Sequence, residues 1–308
     1  MIRATCVRLL AGLALVALPM AAQQQDFSKV EIKVIPAAGN IYMLEGAGGN
    51  IGVSAGSDGI LIIDDQFAPL AEKIRAALKG INQGKLKFVL NTHFHADHTG
   101  GNPDFGTEAT IVAQDNVRKR LEAGSDIHGL KTPPMTGPGL PVITFQDSVS
   151  VHFNGEELRV IHYPHGHTDG DSVIFFTKSN VVHMGDDFFA GRFPFVDLES
   201  GGSVQGMTAG VEKVLAQIPA DAKVIPGHGP LSDVNGLKAY HHMLVETAAI
   251  VQKRIKAKKT LAQIQAEGLP AEWKEWGSGF IDTKTWIETI YNSLTKKMPD
   301  HPVNTTHH

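Results

Sequence analysis

The chain has 308 residues, of which 42% are hydrophobic and 19% are charged, so it is long enough to bury one large core or two smaller ones. Its formal net charge of −4 provides no basic surface of the kind that nucleic-acid-binding proteins use to hold phosphates. We therefore expect a globular protein that has no nucleic-acid partner.

Residues 1–22 have the pattern of a secretory signal peptide. Two arginines accompany an apolar run, Leu9–Leu18, and Ala21 and Ala22 provide small residues for cleavage. The run is shorter than the roughly 20 residues that a bilayer span needs. We therefore expect cleavage, a periplasmic or secreted protein and no membrane partner afterwards, with an uncleaved anchor as the alternative. Cys6 is the single cysteine, so the mature chain would have no disulfide and no thiolate ligand.

The mature chain begins with short strands. Val30–Ile35 alternates apolar and polar residues, which predicts a half-buried strand. Ile41–Leu44 and Ile51–Val53 flank a glycine-rich turn, Gly46–Asn50, which predicts a hairpin. This turn is either a mobile flap over a site or a plain hairpin turn.

A buried strand and a helix follow. Gly59–Ile63 is apolar throughout and ends at Asp64, and Pro69–Leu78 has helical spacing with proline in its first turn. A second apolar strand, Lys87–Leu90, comes next. Ligand sites lie at the carboxyl ends of such strands in open sheets.

The segment after Leu90 carries three imidazoles and one carboxylate within six residues. His93 and His95 are two residues apart, so their side chains leave an extended segment on the same side and can reach one ion. Asp97 and His98 follow on a turn and can reach a second position. Nitrogen and carboxylate donors suit zinc best, with manganese or iron as substitutes. The alternative is a surface loop that is rich in histidine by chance.

The second half repeats this plan of strands that end in polar segments. Before it, Gly124–Pro141 is rich in glycine and proline and predicts a long loop. Three polar segments that follow predicted strands are Pro164–Asp171, Met184–Asp186 and Pro226–Pro230. Predicted helices cover Gly206–Ile218, Asn235–Lys258, Leu261–Glu267 and Thr283–Met298.

Four segments in this order resemble the signature of the metallo-β-lactamase superfamily. They are the HxHxDH pattern at residues 93–98, a GHT segment with His167, a GD segment with Asp186 and a PGHG segment with His228. The resemblance covers roughly residues 30–255. It implies an α/β fold, the four-layer αββα sandwich with two mixed sheets flanked by helices. The domain would span residues 23–258, and residues 259–308 would form a helical extension packed on it.

The resemblance also implies a role for each matching position. Two zinc ions per chain would be bound, and three protein ligands on each ion would leave room for a shared water, as in catalytic zinc sites. Asp97 would also hold the nucleophile and move its proton, and Asp64 would orient His93 or His95 through hydrogen bonds. The implied ligands are His93, His95 and His167 for the first ion, Asp97, His98 and His228 for the second, and Asp186 between the two.

The implied reaction is hydrolysis of a carbonyl bond in a small molecule by hydroxide shared between ions about 3.5–4 Å apart. Hydrolysis of a β-lactam amide is the first expectation. However, thiolate-using β-lactamases have cysteine where this chain has Asp186 and lysine where it has Phe189. Arg192 is a candidate clamp for the substrate carboxylate, and Phe188 and Phe189 are candidates for an apolar substrate wall. The alternatives are a lactonase or thioesterase and a zinc-binding protein without turnover.

Overall fold

A computed structural model of the chain describes residues 26–127 and 130–295. The predicted signal peptide and the residues after Thr295 lie outside this range. The strands are Lys33–Ala38 (β1), Ile41–Glu45 (β2), Ile51–Gly56 (β3), Gly59–Ile63 (β4), Leu86–Leu90 (β5), Thr110–Gln114 (β6), Ser125–Ile127 (β7), Leu130–Thr132 (β8), Ile143–Phe145 (β9), Ser148–Phe153 (β10), Glu156–His162 (β11), Ser172–Phe176 (β12), Val181–His183 (β13), Lys223–Ile225 (β14) and Ser232–Asp233 (β15). The α-helices are Ala71–Ile81 (α1), Ala96–Thr99 (α2), Asn102–Phe105 (α3), Asp115–Ala123 (α4), Val204–Leu215 (α5), Val234–Lys256 (α6), Leu261–Glu267 (α7) and Thr283–Thr295 (α8).

The strands form two mixed sheets. The first has seven strands in the order β1-β2-β3-β4-β5-β6-β9, antiparallel from β1 to β4 and parallel from β4 to β9. The second has six strands in the order β10 to β15, antiparallel except for the parallel pair β13 and β14. Each sheet therefore contains parallel neighbours whose carboxyl ends meet at one edge.

The two sheets pack face to face because successive residues of a strand are buried on opposite faces of the sheet. Leu61 of β4 contributes to a core shared with Ile174 of β12 from the other sheet, whereas its neighbour Ile62 packs with Ile74 of α1. Burying each such side chain is worth about 1.5–3 kcal/mol. The first sheet thus has a helix layer on one face and the second sheet on the other.

A third core closes the outer face of the second sheet. Phe175 of β12 shares this core with Met207 of α5, Tyr240 of α6 and Trp286 of α8. Trp286 donates its indole N–H to Thr247 Oγ1 at 3.0 Å, so the polar end of this fully buried ring is satisfied. Helix, sheet, sheet and helix follow one another, and the predicted αββα sandwich is confirmed.

Some element boundaries differ from the prediction. β1 begins at Lys33 rather than Val30, and it pairs antiparallel with β2. The segment predicted as a loop between Gly124 and Pro141 contains a small hairpin, β7 and β8. In the described part of the chain, no helix combines the length and the apolar composition that a membrane span needs.

Candidate metal centre

The side chains of the HxHxDH segment lie where β5 ends. The Asn91 N–H donates to Val112 O at 3.0 Å, which extends the parallel pairing of β5 and β6 by one residue. The chain then turns at His95, whose φ and ψ of −61° and 146° are extended, and α2 starts at Ala96. His93 and His95 therefore stand on the incoming segment, and His98 stands on the helical turn.

The other three segments bring their polar side chains to the same place. His167 lies on the loop between β11 and β12, Asp186 lies in the turn after β13, and His228 lies on the loop after β14. These loops leave the second sheet at the edge that meets the end of β5. The seven predicted ligands form two groups, each with its donor atoms within 4.8 Å of one another: His93, His95, His167 and Asp186 in the first, and Asp97, His98 and His228 in the second.

The first group is almost completely buried. His167 Nε2 lies 2.8 Å from His95 Nδ1 and 3.5 Å from Asp186 Oδ2, and His93 Nε2 lies 3.9 Å from the same Asp186 oxygen. Four donor atoms thus converge on one small volume that solvent hardly reaches.

The second group shares Asp186 with the first. His228 Nε2 lies 3.3 Å from Asp97 Oδ2 and 3.4 Å from Asp186 Oδ2, and His98 Nε2 lies 3.1 Å from Asp186 Oδ1. The side chains of Asp97 and His228 are 28% and 24% exposed, whereas that of His98 is fully buried. The centre therefore opens to solvent on the side of Asp97 and His228.

The ring nitrogens that face away from the centre are held by protein groups. His93 Nδ1 lies 3.0 Å from Thr92 Oγ1, His95 Nε2 lies 3.1 Å from Asp197 Oδ2, and His167 Nδ1 lies 2.8 Å from the Phe195 carbonyl oxygen. Such outer hydrogen bonds fix the tautomer and the orientation of a metal-ligating imidazole. The inward nitrogens of the three rings thereby point into the centre, where those of His95 and His167 lie 2.8 Å apart.

Asp64 has a different direct partner from the predicted one. Its Oδ2 accepts from His98 Nδ1 at 2.7 Å and from Thr92 Oγ1 at 2.7 Å, and its Oδ1 accepts from the Thr92 backbone N–H at 2.8 Å. Asp64 is predicted to orient His93 or His95; it bonds neither ring directly, and the ring of His95 is held by Asp197. Asp64 reaches His93 through the hydroxyl of Thr92, which lies 3.0 Å from His93 Nδ1. It bonds His98 directly because the helical turn α2 brings that ring, rather than those of the earlier histidines, to the end of β4.

Burial and neighbouring charges shift the pKa values of three of the ligand side chains in the direction that favours cation binding. Burial, together with neighbouring imidazoles, lowers the pKa of His93 well below its usual value, and burial lowers that of His167 to about 4. Burial opposes the ionisation of Asp97, but His98 and His228 outweigh it and lower the pKa to about 2. His93 and His167 thus offer neutral imidazoles, and Asp97 offers a carboxylate at neutral pH.

Unsatisfied donor atoms show that the residues fit a metal. His93 Nε2, His98 Nε2 and Asp186 Oδ1 are buried and make no hydrogen bond within the described residues, although the last two lie only 3.1 Å apart. Buried polar atoms without partners are costly, and each one calls for an explanation such as an ion, a water or a catalytic role. Nitrogen and carboxylate oxygen donors are those that zinc takes. The two groups can therefore hold metal ions.

The glycine-rich hairpin turn between β2 and β3 closes one wall of the centre. A Cβ on Gly49 would lie 2.1 Å from His98 Cε1, and a Cβ on Gly48, whose φ is +89°, would lie 2.7 Å from Asp97 O. The Asn50 side chain donates to the carbonyl oxygens of Pro226 and Gly229 at 3.0 and 2.8 Å, which ties the turn to the His228 loop. Glycine allows the turn to touch the ligand residues directly.

The candidates for substrate contact lie in different environments. Phe189 stacks on the His228 ring with centroids 5.1 Å apart, at the open side of the centre. Phe188 is 1% exposed and packs against Tyr240 in the core, so its prediction as part of a substrate wall is wrong. Successive residues point to opposite sides of this extended segment, and only one of the two rings can face the site. Arg192 packs along Gly279, and its role as a carboxylate clamp stays a prediction.

Two carboxylates that support the histidines have no clear signal in the sequence. Asp197 holds His95, as described above, and Asp187 Oδ1 accepts from the His167 backbone N–H at 3.1 Å. Asp197 belongs to a loop with no recognisable spacing to the ligand segments. Asp187 adjoins Asp186, and this adjacency alone does not tell which of the two carboxylates faces the centre.

The sequence is similar to the sequences of known proteins. The sequence model of the family described as "Metallo-beta-lactamase superfamily" matches residues 34–228. A hydroxyacylglutathione hydrolase of Methylococcus capsulatus is 30% identical over 149 residues, which are 47% of this chain and 48% of the relative. A second, of Brucella anthropi, is 31% identical over 182 residues, or 55% of this chain and 60% of the relative. The chain thus spans about half the length of the curated relatives it matches.

Solved structures share the fold. The DIM-1 metallo-β-lactamase superposes with a TM-score of 0.58 at 19% identity, covering 71% of this chain and 100% of that structure. A double mutant of the sec-alkyl sulfatase PisA1 superposes with a TM-score of 0.69 at 15% identity, covering 90% of this chain and 52% of that structure. At these identities the likeness establishes the fold alone.

Proposed function

Because the chain belongs to the metallo-β-lactamase superfamily, we propose that it is a hydrolase that binds two zinc ions and opens an ester or thioester bond in a small molecule. The observation that carries the proposal is the position of Asp186. Its two oxygens lie 3.1 to 3.9 Å from nitrogens of both ligand groups, among them His93 Nε2 and His98 Nε2. A carboxylate in this position can bridge two ions, so the groups would act as one centre.

The residues around the centre supply what hydrolysis needs. When bound, the ions would act as Lewis acids and bring the pKa of a coordinated water close to 7. In the overall reaction, the oxygen of water forms a bond to the carbonyl carbon, the bond from that carbon to sulfur or oxygen breaks, and the leaving group takes up a proton. Asp97 is the partly exposed carboxylate of the centre, so it is placed to orient the water and to accept its proton.

The buried histidines of the centre are fixed in place, whereas Asp97 and His228 lie on its open side. His93, His95, His167 and His98 are buried and held from behind by protein groups, so they would stay fixed during turnover. The ring of Phe189 stacks on His228 and covers one face of that imidazole. A substrate therefore approaches from the side on which Asp97 and His228 are partly exposed.

Two observations favour an ester or thioester over a β-lactam amide. The curated relatives carry the name hydroxyacylglutathione hydrolase, which describes hydrolysis of a thioester. This chain also has Asp186 where thiolate-using β-lactamases have cysteine and Phe189 where they have lysine. Hydrolysis of β-lactams stays a prediction, and the turnover of a penicillin and a carbapenem tests it.

Export is part of the proposal. The signal-like pattern of residues 1–22 supports a periplasmic or secreted enzyme, and Cys6 would leave with the cleaved segment. An enzyme without cysteine has no thiol that an oxidising compartment could modify. Sequencing the amino terminus of the protein recovered from the periplasm tests this part separately.

The test of the proposed function combines metal analysis with a substrate panel. We expect two zinc ions per chain, loss of activity with a strong chelator and recovery when zinc is returned. A lactone, a glutathione thioester, a penicillin and a carbapenem should be compared by kcat/KM, with Asp186→Asn as the test variant and Asp221→Asn, at an exposed position, as the control. Asp186→Asn should lose about a hundredfold or more, because even outer partners of a metal site contribute about 10–100-fold. Full turnover by the metal-free protein would refute the proposal.

A further inference from the structure

The ring of His183 lies between the two sheets, at the end of β13. Its side chain is fully buried, and a Cβ on Gly52 of β3, in the other sheet, would lie only 2.8 Å from His183 Cδ2. Val181, two residues earlier on the same face of the strand, packs in the apolar core that the sheets share. An imidazole thus occupies a position that otherwise favours an aliphatic side chain, and its burial costs free energy unless both nitrogens are hydrogen-bonded.

Both ring nitrogens of His183 contact backbone groups of loops at the metal centre. The Gly185 N–H donates to His183 Nδ1 at 3.2 Å, and His183 Nε2 lies 3.2 Å from the Asn50 carbonyl oxygen. Burial lowers the pKa of His183 to about 4, so the ring is neutral at pH 7. Because Nδ1 accepts a hydrogen bond, the single proton of the neutral ring lies on Nε2, which donates it to Asn50 O.

These two hydrogen bonds complete a closed cycle of four. The Gly227 N–H donates to Gly185 O at 2.7 Å, and the Asn50 N–H donates to Gly227 O at 2.7 Å. Each of the four residues therefore donates once and accepts once, in one direction around the cycle, and hydrogen bonds in such chains polarise and strengthen one another. The imidazole of His183 is the single side chain in the cycle, since the other three residues take part through their backbone.

The cycle joins three segments of the metal centre. Gly185 adjoins Asp186 in the turn after β13, and Gly227 adjoins His228 on the loop after β14. Asn50 ends the glycine-rich hairpin turn that closes one wall of the centre. The relative positions of two metal ligands and of this wall therefore depend on one imidazole that touches neither ligand side chain.

We infer that His183 is a positioning residue of the metal centre, which sets the distance between Asp186 and His228 and holds the hairpin turn as a fixed wall rather than a mobile flap. The inference rests on the proposed function, because it assumes a centre of two ions, but it does not depend on the substrate. An aliphatic side chain at position 183 would fill the space between the sheets and leave the Gly185 N–H and Asn50 O without this partner. The ligands of the second ion would then be held less firmly in an otherwise intact fold.

Three variants separate the two hydrogen bonds of the ring. His183→Phe keeps an aromatic ring of similar shape and loses both bonds. His183→Asn places an amide oxygen near the position of Nδ1 and can still accept from Gly185, whereas His183→Gln places an amide N–H near the position of Nε2 and can still donate to Asn50. Val181→Ala is the matched control, because it weakens the same core without touching the cycle.

The first measurement is the affinity of the full chain for each zinc ion, obtained by stepwise removal of zinc with increasing chelator concentrations. We expect His183→Phe to lower the affinity of the second ion by about 10–100-fold, and to affect it more than the first ion, because Asp186 and His228 both serve the second. His183→Asn and His183→Gln should each lose less than His183→Phe. Val181→Ala should bind both ions as the wild type does.

Two further measurements use the metal-free protein. Long-range nitrogen-15 NMR of the wild type at pH 7 should show His183 with Nε2 protonated and Nδ1 unprotonated. Relative to amides of the core strands, the amides of Asn50 and Gly227 should exchange about tenfold or more faster in His183→Phe than in Val181→Ala.

The outcomes separate this inference from the proposed function. A loss of affinity for the second ion that the two amide variants partly restore supports the inference, and if no ester is hydrolysed by the same wild-type protein, the proposed function fails alone. Equal zinc affinities in His183→Phe and Val181→Ala, equal amide exchange in these two variants, or a proton on Nδ1 overturns the inference even if esters are hydrolysed. If His183→Phe does not fold, His183→Gln takes its place, and wild-type zinc affinities in that variant likewise overturn the inference.

Discussion

The carboxylate of Asp64 and the imidazole of His98 form a hydrogen bond of 2.7 Å between two side chains that are both inaccessible to solvent. Asp64 has a φ of +63°, a conformation that aspartate and asparagine tolerate better than most residues. A carboxylate at the end of β4 therefore fixes the His98 ring of the second ligand group. The same carboxylate accepts two hydrogen bonds from Thr92, whose hydroxyl lies 3.0 Å from His93 Nδ1 of the first ligand group. Asp64 thereby connects the two ligand groups.

Replacement of Asp64 tests this connection. Asp64→Ala leaves the buried donors of His98 and Thr92 without a partner, so we expect the free energy of unfolding of the metal-free protein to fall by about 3 kcal/mol or more. Asp64→Asn keeps the backbone conformation and one acceptor, so it should lose less stability but still lower zinc affinity by about 10–100-fold. Urea unfolding and competition with a chromophoric chelator measure the two effects. Wild-type zinc affinity in both variants would contradict the role of Asp64.

A methyl group on Gly49 probes the contact between the hairpin turn and the second ligand group. Gly49→Ala would place Cβ 2.1 Å from His98 Cε1, so the turn or the ring must move, and we expect about a tenfold or larger loss of affinity for the second zinc ion. Gly80→Ala is the control, because it lies on α1 with nothing within 4 Å of the added atom. The control should gain about 0.5–1 kcal/mol of stability and bind zinc normally. Equal zinc binding by Gly49→Ala and the control would argue against the contact.

The bond from Asp197 to His95 should act on the first ligand group. Asp197→Asn keeps an acceptor but removes the charge, so we expect the affinity of the first ion to fall about tenfold with little change at the second. Stepwise removal of zinc by increasing chelator concentrations separates the two affinities. An effect confined to the second ion would show that Asp197 does not position His95.

Zinc binding should release protons at neutral pH. Burial opposes protonation of His228, but the Asp186 carboxylate outweighs burial and raises the pKa of His228 in the metal-free protein to about 9. His228 is thus protonated at pH 7.5 and must become neutral to bind zinc, so affinity should fall as the pH is lowered. Calorimetry at pH 7.5 in two buffers with different ionisation enthalpies measures the protons released. An enthalpy that does not depend on the buffer would be inconsistent with this protonation state.

The fold and the meeting of the ligand segments could be predicted because four ordered segments resemble the signature of the metallo-β-lactamase superfamily, and local patterns place these segments at strand ends. Each segment follows a short apolar strand, and the carboxyl ends of neighbouring parallel strands lie at one edge. The contacts of Asp197, the orientation of Phe188 and the packing of Gly49 on His98 depend instead on how distant loops cross. Residues 95 and 197 are 102 positions apart, and neither has a spacing that indicates their hydrogen bond.

The central claim is that Asp186 joins two metal positions into one centre, and anomalous scattering at the zinc edge tests it most directly. A crystal of the protein grown with zinc should show two anomalous peaks about 3.5–4 Å apart. One should lie among His93, His95 and His167, the other among Asp97, His98 and His228, with the carboxylate of Asp186 between them. A single peak, or two peaks that Asp186 does not contact, would contradict the account.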